Sequence, residues 1–289
     1  MEIVLLGTGC PQCDPDRRGP ASLAIGGGAR ILIDCGSGVT QRLVEAGTSG
    51  AAIDALFLTH LHSDHLVDFY QLVISSWHQG RDRPQRVFGP PGTRDFVDGT
   101  MALWAAERAQ RVAHEKRAST EAFKIETTEL VAGDVIAIGD ARVRVVPVAH
   151  QPVKHAFGFV IEADDQKAAF SGDTAYCPAL IAAAKGADVL VHECFLHAEM
   201  KPVPGVRSAA TIDAVRSYHT PPEDVGRVAK EADVACLLLN HFVPVRFDRN
   251  AALDSVRQAY KGPAVVGEDL MRYDIAARRL FHRGGLIGF

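Results

Sequence analysis

The sequence predicts a mixed α/β architecture in which β-sheets pack together and helices cover them outside. Three observations carry this expectation. Short apolar runs of strand length recur in both halves of the chain, ended by polar residues or Gly-rich turns. Helix-length amphipathic segments alternate with them. A chain of 289 residues that is 47% hydrophobic has enough apolar surface for a sizeable core.

The elements follow in order. The first half predicts strands near Ile3–Leu6, Leu23–Ile25, Ile31–Asp34 and Leu56–Thr59, with Gly26-Gly27-Gly28 as a turn. Helical patterns follow at Ser37–Ala46 and Leu66–Trp77, and Gly92 to Lys116 reads as mostly helical. The second half predicts strands at Val143–Val148, Phe157–Ile161, Ala168–Phe170, Val189–His192 and Ala235–Asn240. Helices fit Pro178–Lys185, Pro222–Lys230 and Ala251–Tyr260. Pro221 and Pro222 suit a helix start, because the first turn does not use the missing N–H. No repeat, low-complexity tract or long linker interrupts the chain, so residues 1–289 read as one domain.

Bulk composition excludes some roles. Lys+Arg total 31 against 35 Asp+Glu, a net charge of −4, without the basic excess of a dedicated nucleic-acid binder. No stretch approaches the ~20 apolar residues of a membrane span, and Met1–Gly7 is too short and too acidic for a secretory signal. Six scattered cysteines point to reduced thiols and a cytoplasmic setting. Cys10 and Cys13 form a lone C-x-x-C without a second pair, which reads as two unpaired thiols. Arg108, Arg111, His114, Lys116 and Arg117 form a basic helix face, read as solvated or as an anion contact.

The segment T-H-L-H-S-D-H is the richest in chemistry. His60, His62, Asp64 and His65 follow the apolar run Ala55-Leu56-Phe57-Leu58 directly. On extended backbone, an H-x-H pair points both imidazoles the same way, because side chains alternate with period two. Asp64 and His65 can then turn toward a second position. Capping of a helix by Asp64 is the structural alternative.

Other metal-competent residues fall at strand ends. His150 follows Val143–Val148, Asp173 follows Ala168–Phe170 in S-G-D-T, His192 and Glu193 close Val189–Val191, and His241 follows Cys236–Asn240. Polar groups at several strand ends describe a site on one rim of a sheet core. His155 competes with His150 for the same role.

The ordered segments L-L-G-T-G-C-P, I-D-C-G-S-G, T-H-L-H-S-D-H, G-P-P-G-T, S-G-D-T, H-E-C and N-H-F-V-P resemble those of the metallo-β-lactamase superfamily. Within it, the chain resembles the branch that holds ribonuclease Z and the arylsulfatase-like hydrolases. The resemblance spans nearly the whole chain. It implies an αββα four-layer sandwich. It also implies a dinuclear centre, with one metal on His60, His62 and His150, a second on Asp64, His65 and His241, and Asp173 between them. Histidine and carboxylate donors without thiolate suit two Zn²⁺, with Mn²⁺ or Fe²⁺ as substitutes. Asp34 is expected behind the ligands, orienting an imidazole.

Such a centre makes an activated water available at neutral pH for attack on an ester-type bond. Asp64 then belongs to the catalytic set as well. His192, Glu193 and His219 are the candidates for proton transfer to the leaving group. The leading expectation is a hydrolase of a small-molecule sulfate ester, phosphodiester, carboxylic ester or lactone. A tRNA 3′-end endonuclease is the alternative, disfavoured because no basic arm is inserted between His150 and Ser171-Gly172-Asp173. A non-catalytic member of the fold is least expected, since all seven ligand positions are filled. A homodimer is conceivable through the apolar segment Phe69–Trp77.

Overall fold

A strand that is apolar on both faces must be covered on both sides. Several strands here are of that kind, and their alternation sets the layers. The computed structural model describes residues 1–288; Phe289, the last residue of the expected domain, lies outside them. The strands of the first half are β1 (Glu2–Gly7), β2 (Ala21–Gly26), β3 (Ala29–Ile33), β4 (Ala55–Phe57), β5 (Gln85–Gly89), β6 (Ile125–Glu129), β7 (Val135–Ile138) and β8 (Ala141–Pro147). Those of the second are β9 (Phe157–Ala163), β10 (Gln166–Phe170), β11 (Val189–Phe195), β12 (Leu237–Val243), β13 (Ala264–Val266), β14 (Arg272–Asp274), β15 (Arg279–His282) and β16 (Gly285–Gly288). The helices are α1 (Val39–Glu45), α2 (Phe69–His78), α3 (Thr93–Leu103), α4 (Ala105–Glu115), α5 (Pro178–Ala183), α6 (Ala209–Arg216), α7 (Pro222–Glu231) and α8 (Arg249–Ala259).

A nine-stranded sheet runs β16-β15-β14-β1-β2-β3-β4-β5-β6, and a seven-stranded sheet runs β13-β12-β11-β10-β9-β8-β7. Alternate side chains of each strand enter different cores. Ile3, Leu5, Ile31, Ile33 and Phe57 face Val143, Ile161, Val191 and Leu238 between the two sheets. Val4, Leu6, Leu32 and Leu56 face outward onto Val39 of α1, Phe69, Leu72 and Val73 of α2, and Val97 of α3. Leu190, Leu237 and Leu239 face outward onto Val225 and Val228 of α7 and Val256 of α8. Three apolar layers separate four structural ones, which is the αββα sandwich expected. Phe57 ties the sheets together, stacked on Phe88 at 4.6 Å and edge-on to Phe159 at 5.4 Å.

The parallel segments decide where the chemistry lies. Strands β3 to β6 run parallel, as do β10 to β13. β8 and β10 are both antiparallel to β9 and so share a direction. The carboxyl ends of β4, β8 and β10 each lead into a residue flagged above, and β11 and β12 carry flagged residues in their carboxyl-terminal halves. In sheets with parallel strands, ligands bind beyond these ends.

Three expectations are adjusted. The strand expected to reach Thr59 stops at Phe57, because Thr59 N–H donates to the Asp34 carboxylate at 2.8 Å instead of to a neighbouring strand. The helix expected from Leu66 starts at Phe69, since Ser63–His65 forms a tight 3₁₀ turn and Leu66 sits at φ −144°. The long helical stretch before Lys116 breaks at Trp104 (φ −101°, ψ 13°) into α3 and α4. Within the basic stretch at the end of α4, Arg111 pairs with Glu107 and Glu115, and Arg117 with Glu115. Of the segment Phe69–Trp77 considered for a dimer contact, Phe69, Leu72, Val73 and Trp77 are buried within this chain. All six cysteines are free thiols. No helix among the described residues is long and apolar enough to cross a membrane.

Candidate metal centre

The loop after β4 builds half of the site. His60 is fully buried, and His62 lies on extended backbone (φ −69°, ψ 143°) with its Nδ1 2.9 Å from His60 Nε2. The H-x-H spacing therefore converges two ring nitrogens, as its period requires. The Ser63–His65 turn then brings Asp64 and His65 round, with His65 Nε2 3.5 Å from Asp64 Oδ2. Asp34 holds this half in place. Its backbone is left-handed (φ 61°), and its carboxylate accepts from Thr59 N–H and from His65 Nδ1, each at 2.8 Å. That bond fixes the His65 tautomer and leaves Nε2 for the centre.

The second sheet supplies the other half from three of its strands. His150 is buried after β8; its Nδ1 donates to the Tyr218 carbonyl at 3.0 Å, and its Nε2 lies 3.3 Å from His62 Nδ1. His155 is exposed and stands outside the cluster. Asp173 follows β10, reached through Gly172 at φ 58°. A Cβ on Gly172 would meet the Phe157 carbonyl oxygen at 2.6 Å, so only glycine fits this approach. His241 sits at a β-bulge in β12: Asn240 pairs with Glu193 and Phe242 with Cys194, leaving His241 as the extra residue, at φ 42°. The bulge turns an otherwise sheet-bound side chain toward the rim.

Asp173 is the common member. Its Oδ2 lies 3.4 Å from His65 Nε2, 3.4 Å from His241 Nε2, 3.9 Å from His60 Nε2 and 4.0 Å from His150 Nε2. Two groups of ligand atoms that could hold an ion result: His60, His62, His150 and Asp173, and Asp64, His65 and His241. Asp173, His219 and His241 also form a group of that kind.

The chemistry of this donor set fits divalent metal. Burial pushes His60 well below the usual histidine range and His150 to about 4, so both are neutral with a ring nitrogen free to donate. Burial alone would raise Asp173, but His241 and His65 outweigh it and hold its carboxyl well below the usual range. His65 Nε2 and Asp173 Oδ1 are buried without a hydrogen-bond partner. Buried polar atoms without partners are costly, and a cation among them satisfies both at once.

The proton-transfer candidates divide. Glu193 is buried, and its Oε1 accepts from Thr174 N–H and from His219 Nδ1, each at 2.8 Å. Burial pushes His219 down, but the Glu193 carboxylate outweighs it and carries it up to about 9. His219 lines a cleft of about 420 Å³, together with His62, Asp64, Asp173 and His241. His192 does not line this cleft; its Nδ1 donates to the Glu193 carbonyl at 2.8 Å, and burial lowers it to about 4.

Three contributors escaped sequence reading. Thr59 positions Asp34, Tyr218 positions His150 through its carbonyl, and Arg207 lines the cleft. The first two are neighbours of flagged histidines, and Arg207 follows the Pro204-Gly205 turn signal.

Comparison with known proteins identifies the family and the fold. Residues 29–242 match the Beta-lactamase superfamily domain. Ribonuclease Z of Mycobacterium bovis (strain BCG / Pasteur 1173P2) is 35% identical over 286 residues, covering 96% of this chain and 100% of that protein. Ribonuclease Z of Mycobacterium marinum is 35% identical over 285 residues with the same coverage. Among solved structures, YhfI of Bacillus subtilis superposes with TM-score 0.74 at 18% identity, covering 94% of this chain and 99% of its own. Human tRNase Z, short form, superposes with TM-score 0.68 at 22% identity, covering 95% and 99%. These two structures bear on the fold.

The mycobacterial relatives correct one step of the sequence reading. A missing arm was held against a tRNA substrate, yet these relatives are matched over their full length and leave no arm-sized segment unmatched. Net charge fails as a criterion too, because it averages a surface whose local field is what a partner meets. The chain belongs to the metallo-β-lactamase superfamily, in the branch that holds ribonuclease Z, and is a hydrolase.

Proposed function

We propose that this chain is a metal-dependent phosphodiesterase of the ribonuclease Z type that cleaves precursor tRNA at its 3′ end. This replaces small-molecule ester hydrolysis as the leading reading. The carrying observation is His219, held through Nδ1 by the buried Glu193, on the wall of the cleft that His62, Asp64, Asp173 and His241 of the seven-residue cluster also line. It supplies a protonated imidazole beside a site suited to divalent metal. The 35% identity to ribonuclease Z across 96% of the chain supports the same substrate. We further propose that residues 1–289 act as one catalytic domain and that the metal is zinc, because the donors are imidazoles and carboxylates.

The proposed ligands are His60, His62 and His150 at one position and Asp64, His65 and His241 at the other, with Asp173 shared. A metal pair held there supplies a water activated at neutral pH and Lewis-acid polarisation of a phosphoryl oxygen. The chain's own groups do the rest. Glu193 fixes His219 through Nδ1 and leaves Nε2 as the free ring nitrogen, which donates its proton to the leaving oxygen. Ribose oxygen is a poor leaving group, so this proton matters more for RNA than for activated esters. His192 packs behind Glu193 and takes no part in proton transfer in this reading.

The test is cleavage of a precursor tRNA carrying a 3′ trailer by zinc-loaded protein, run beside nitrophenyl phosphodiester, sulfate and acetate. Trimming to one discrete 3′ end, lost in Asp173→Ala, is expected. Turnover of the sulfate or acetate with intact precursor tRNA would overturn the reading in favour of a small-molecule hydrolase.

A further inference from the structure

The segment between β11 and α7 carries a short structure of its own. Val203 and Arg207 form an isolated β-bridge, with Val203 N–H to Arg207 O at 2.9 Å and Arg207 N–H to Val203 O at 3.0 Å. Pro204 and Gly205 close the turn, with Gly205 at φ 73°, a conformation that favours glycine at the third turn position. The turn itself is exposed, with Val206 73% accessible, whereas Arg207 is half-buried and faces the catalytic cleft. A two-ended anchor of this kind holds one side chain at a chosen place on the wall.

Arg207 is the one Lys or Arg among the residues lining the cleft. Its Nε donates to the Lys201 carbonyl at 2.8 Å. No carboxylate of the described residues lies within the 4.0 Å of an ion pair to it. Both terminal nitrogens therefore remain unspent. Arginines in the adjoining loops are not so placed: Arg246 is paired with Asp14 at 2.9 Å, and Arg17 donates to Thr8 Oγ1 and the Gly267 carbonyl. An unpaired guanidinium presents a rigid fork that matches two oxygens of a phosphate.

We propose that Arg207 binds a phosphate next to the scissile one and so aligns an oligonucleotide strand in the cleft. The inference rests on the ribonuclease reading and sharpens it, because a substrate with a single phosphodiester has no neighbouring phosphate to offer. Anchoring through Nε and the β-bridge fixes the guanidinium before substrate arrives, which reduces the ordering cost on binding. Arg207 contacts the strand outside the reacting atoms, so its contribution appears in binding more than in turnover.

The experiment compares wild type, Arg207→Ala, Arg207→Gln and Arg207→Lys on precursor tRNA over a series of salt concentrations, with melting temperature and metal content as controls of folding. In Arg207→Ala and Arg207→Gln, KM should rise about tenfold or more with kcat largely kept, as for loss of a charged hydrogen bond. The slope of log affinity against log salt should fall by about one phosphate contact's worth, and Arg207→Lys should restore that slope but only part of the KM. An unshifted KM, a loss confined to kcat, or a Lys variant no better than Ala would overturn the assignment. If wild type hydrolyses bis(p-nitrophenyl) phosphate yet leaves precursor tRNA intact, the ribonuclease reading fails and this contact with it. If wild type cuts precursor tRNA and Arg207→Ala binds it equally well, Arg207 alone is removed.

Discussion

The two halves of the candidate metal centre are built in opposite ways. The first sheet contributes His60, His62, Asp64 and His65 from one loop of six residues after β4. The second contributes His150, Asp173 and His241 from the ends of three strands, with Glu193 from a fourth. The first half is oriented by a side chain, since Asp34, itself held by Thr59, accepts from His65. The second relies on backbone: the Tyr218 carbonyl holds His150, and a bulge aims His241. Local sequence thus assembles one half almost by itself, while the other exists only once the seven-stranded sheet has formed. Asp173 is where the halves meet.

The sharpest way to break this contrast is at that meeting point. Asp173→Ala should abolish turnover and empty both proposed positions of metal, whereas Asp64→Ala should leave about half of the metal in place. Metal analysis of the two purified variants decides it, and equal losses would erase the distinction between shared and single-position ligands. Chelation of the wild type should likewise abolish activity and lower the melting temperature, because bound metal stabilises only the folded state. Full turnover after chelation would remove metal from the chemistry.

Next in size is proton delivery, which belongs to the second half alone. Glu193→Gln keeps the shape but loses the charge that holds His219 protonated. Its rate on precursor tRNA should fall by about 10²–10⁴-fold, with a far smaller loss on a nitrophenyl phosphodiester, whose leaving group needs no proton. Equal losses on both substrates would assign Glu193 to structure. The smaller effects test the first half. Asp34→Asn should weaken metal binding by about 10–100-fold, since His65 loses the partner that sets its tautomer. Thr59→Val should do less, because Thr59 N–H still donates to Asp34 Oδ1 after the hydroxyl is gone. Metal affinities measured by competition titration order the two, and a reversal of that order would place the orienting role on Thr59.

Legibility followed the same division. Strands buried on both faces were readable as apolar runs, and β1, β3, β9 and β11 lie where the residues put them. Strands β6 and β7 went unread because their sequences, Ile-Glu-Thr-Thr-Glu and Val-Ile-Ala-Ile, are largely exposed at sheet edges, where burial imposes little pattern. The capping box Ser208–Thr211 that starts α6 lies in a stretch with no buried residue, so nothing marked the helix by periodicity. His150 was preferred to His155 from its place just after a strand and before Phe157-Gly158-Phe159, and in the structure His150 is buried while His155 is exposed. The position of His192 off the cleft did need the structure: it is adjacent to Glu193, yet side chains of successive strand residues point to opposite faces.

What the sequence determined by itself is whatever depends on neighbours along the chain. The H-x-H-x-D-H loop, the alternation that demands two packed sheets, and the polar residues waiting at strand ends are of this kind. The tertiary structure alone decided which of those strand ends share a rim, that Asp173 stands between two sets of imidazoles, and that Arg207 enters the cleft from a turn more than thirty residues after Asp173 in the chain. Backbone geometry sets periodicity within a few residues. Convergence of distant side chains depends instead on sheet order and on the packing of one sheet against the other.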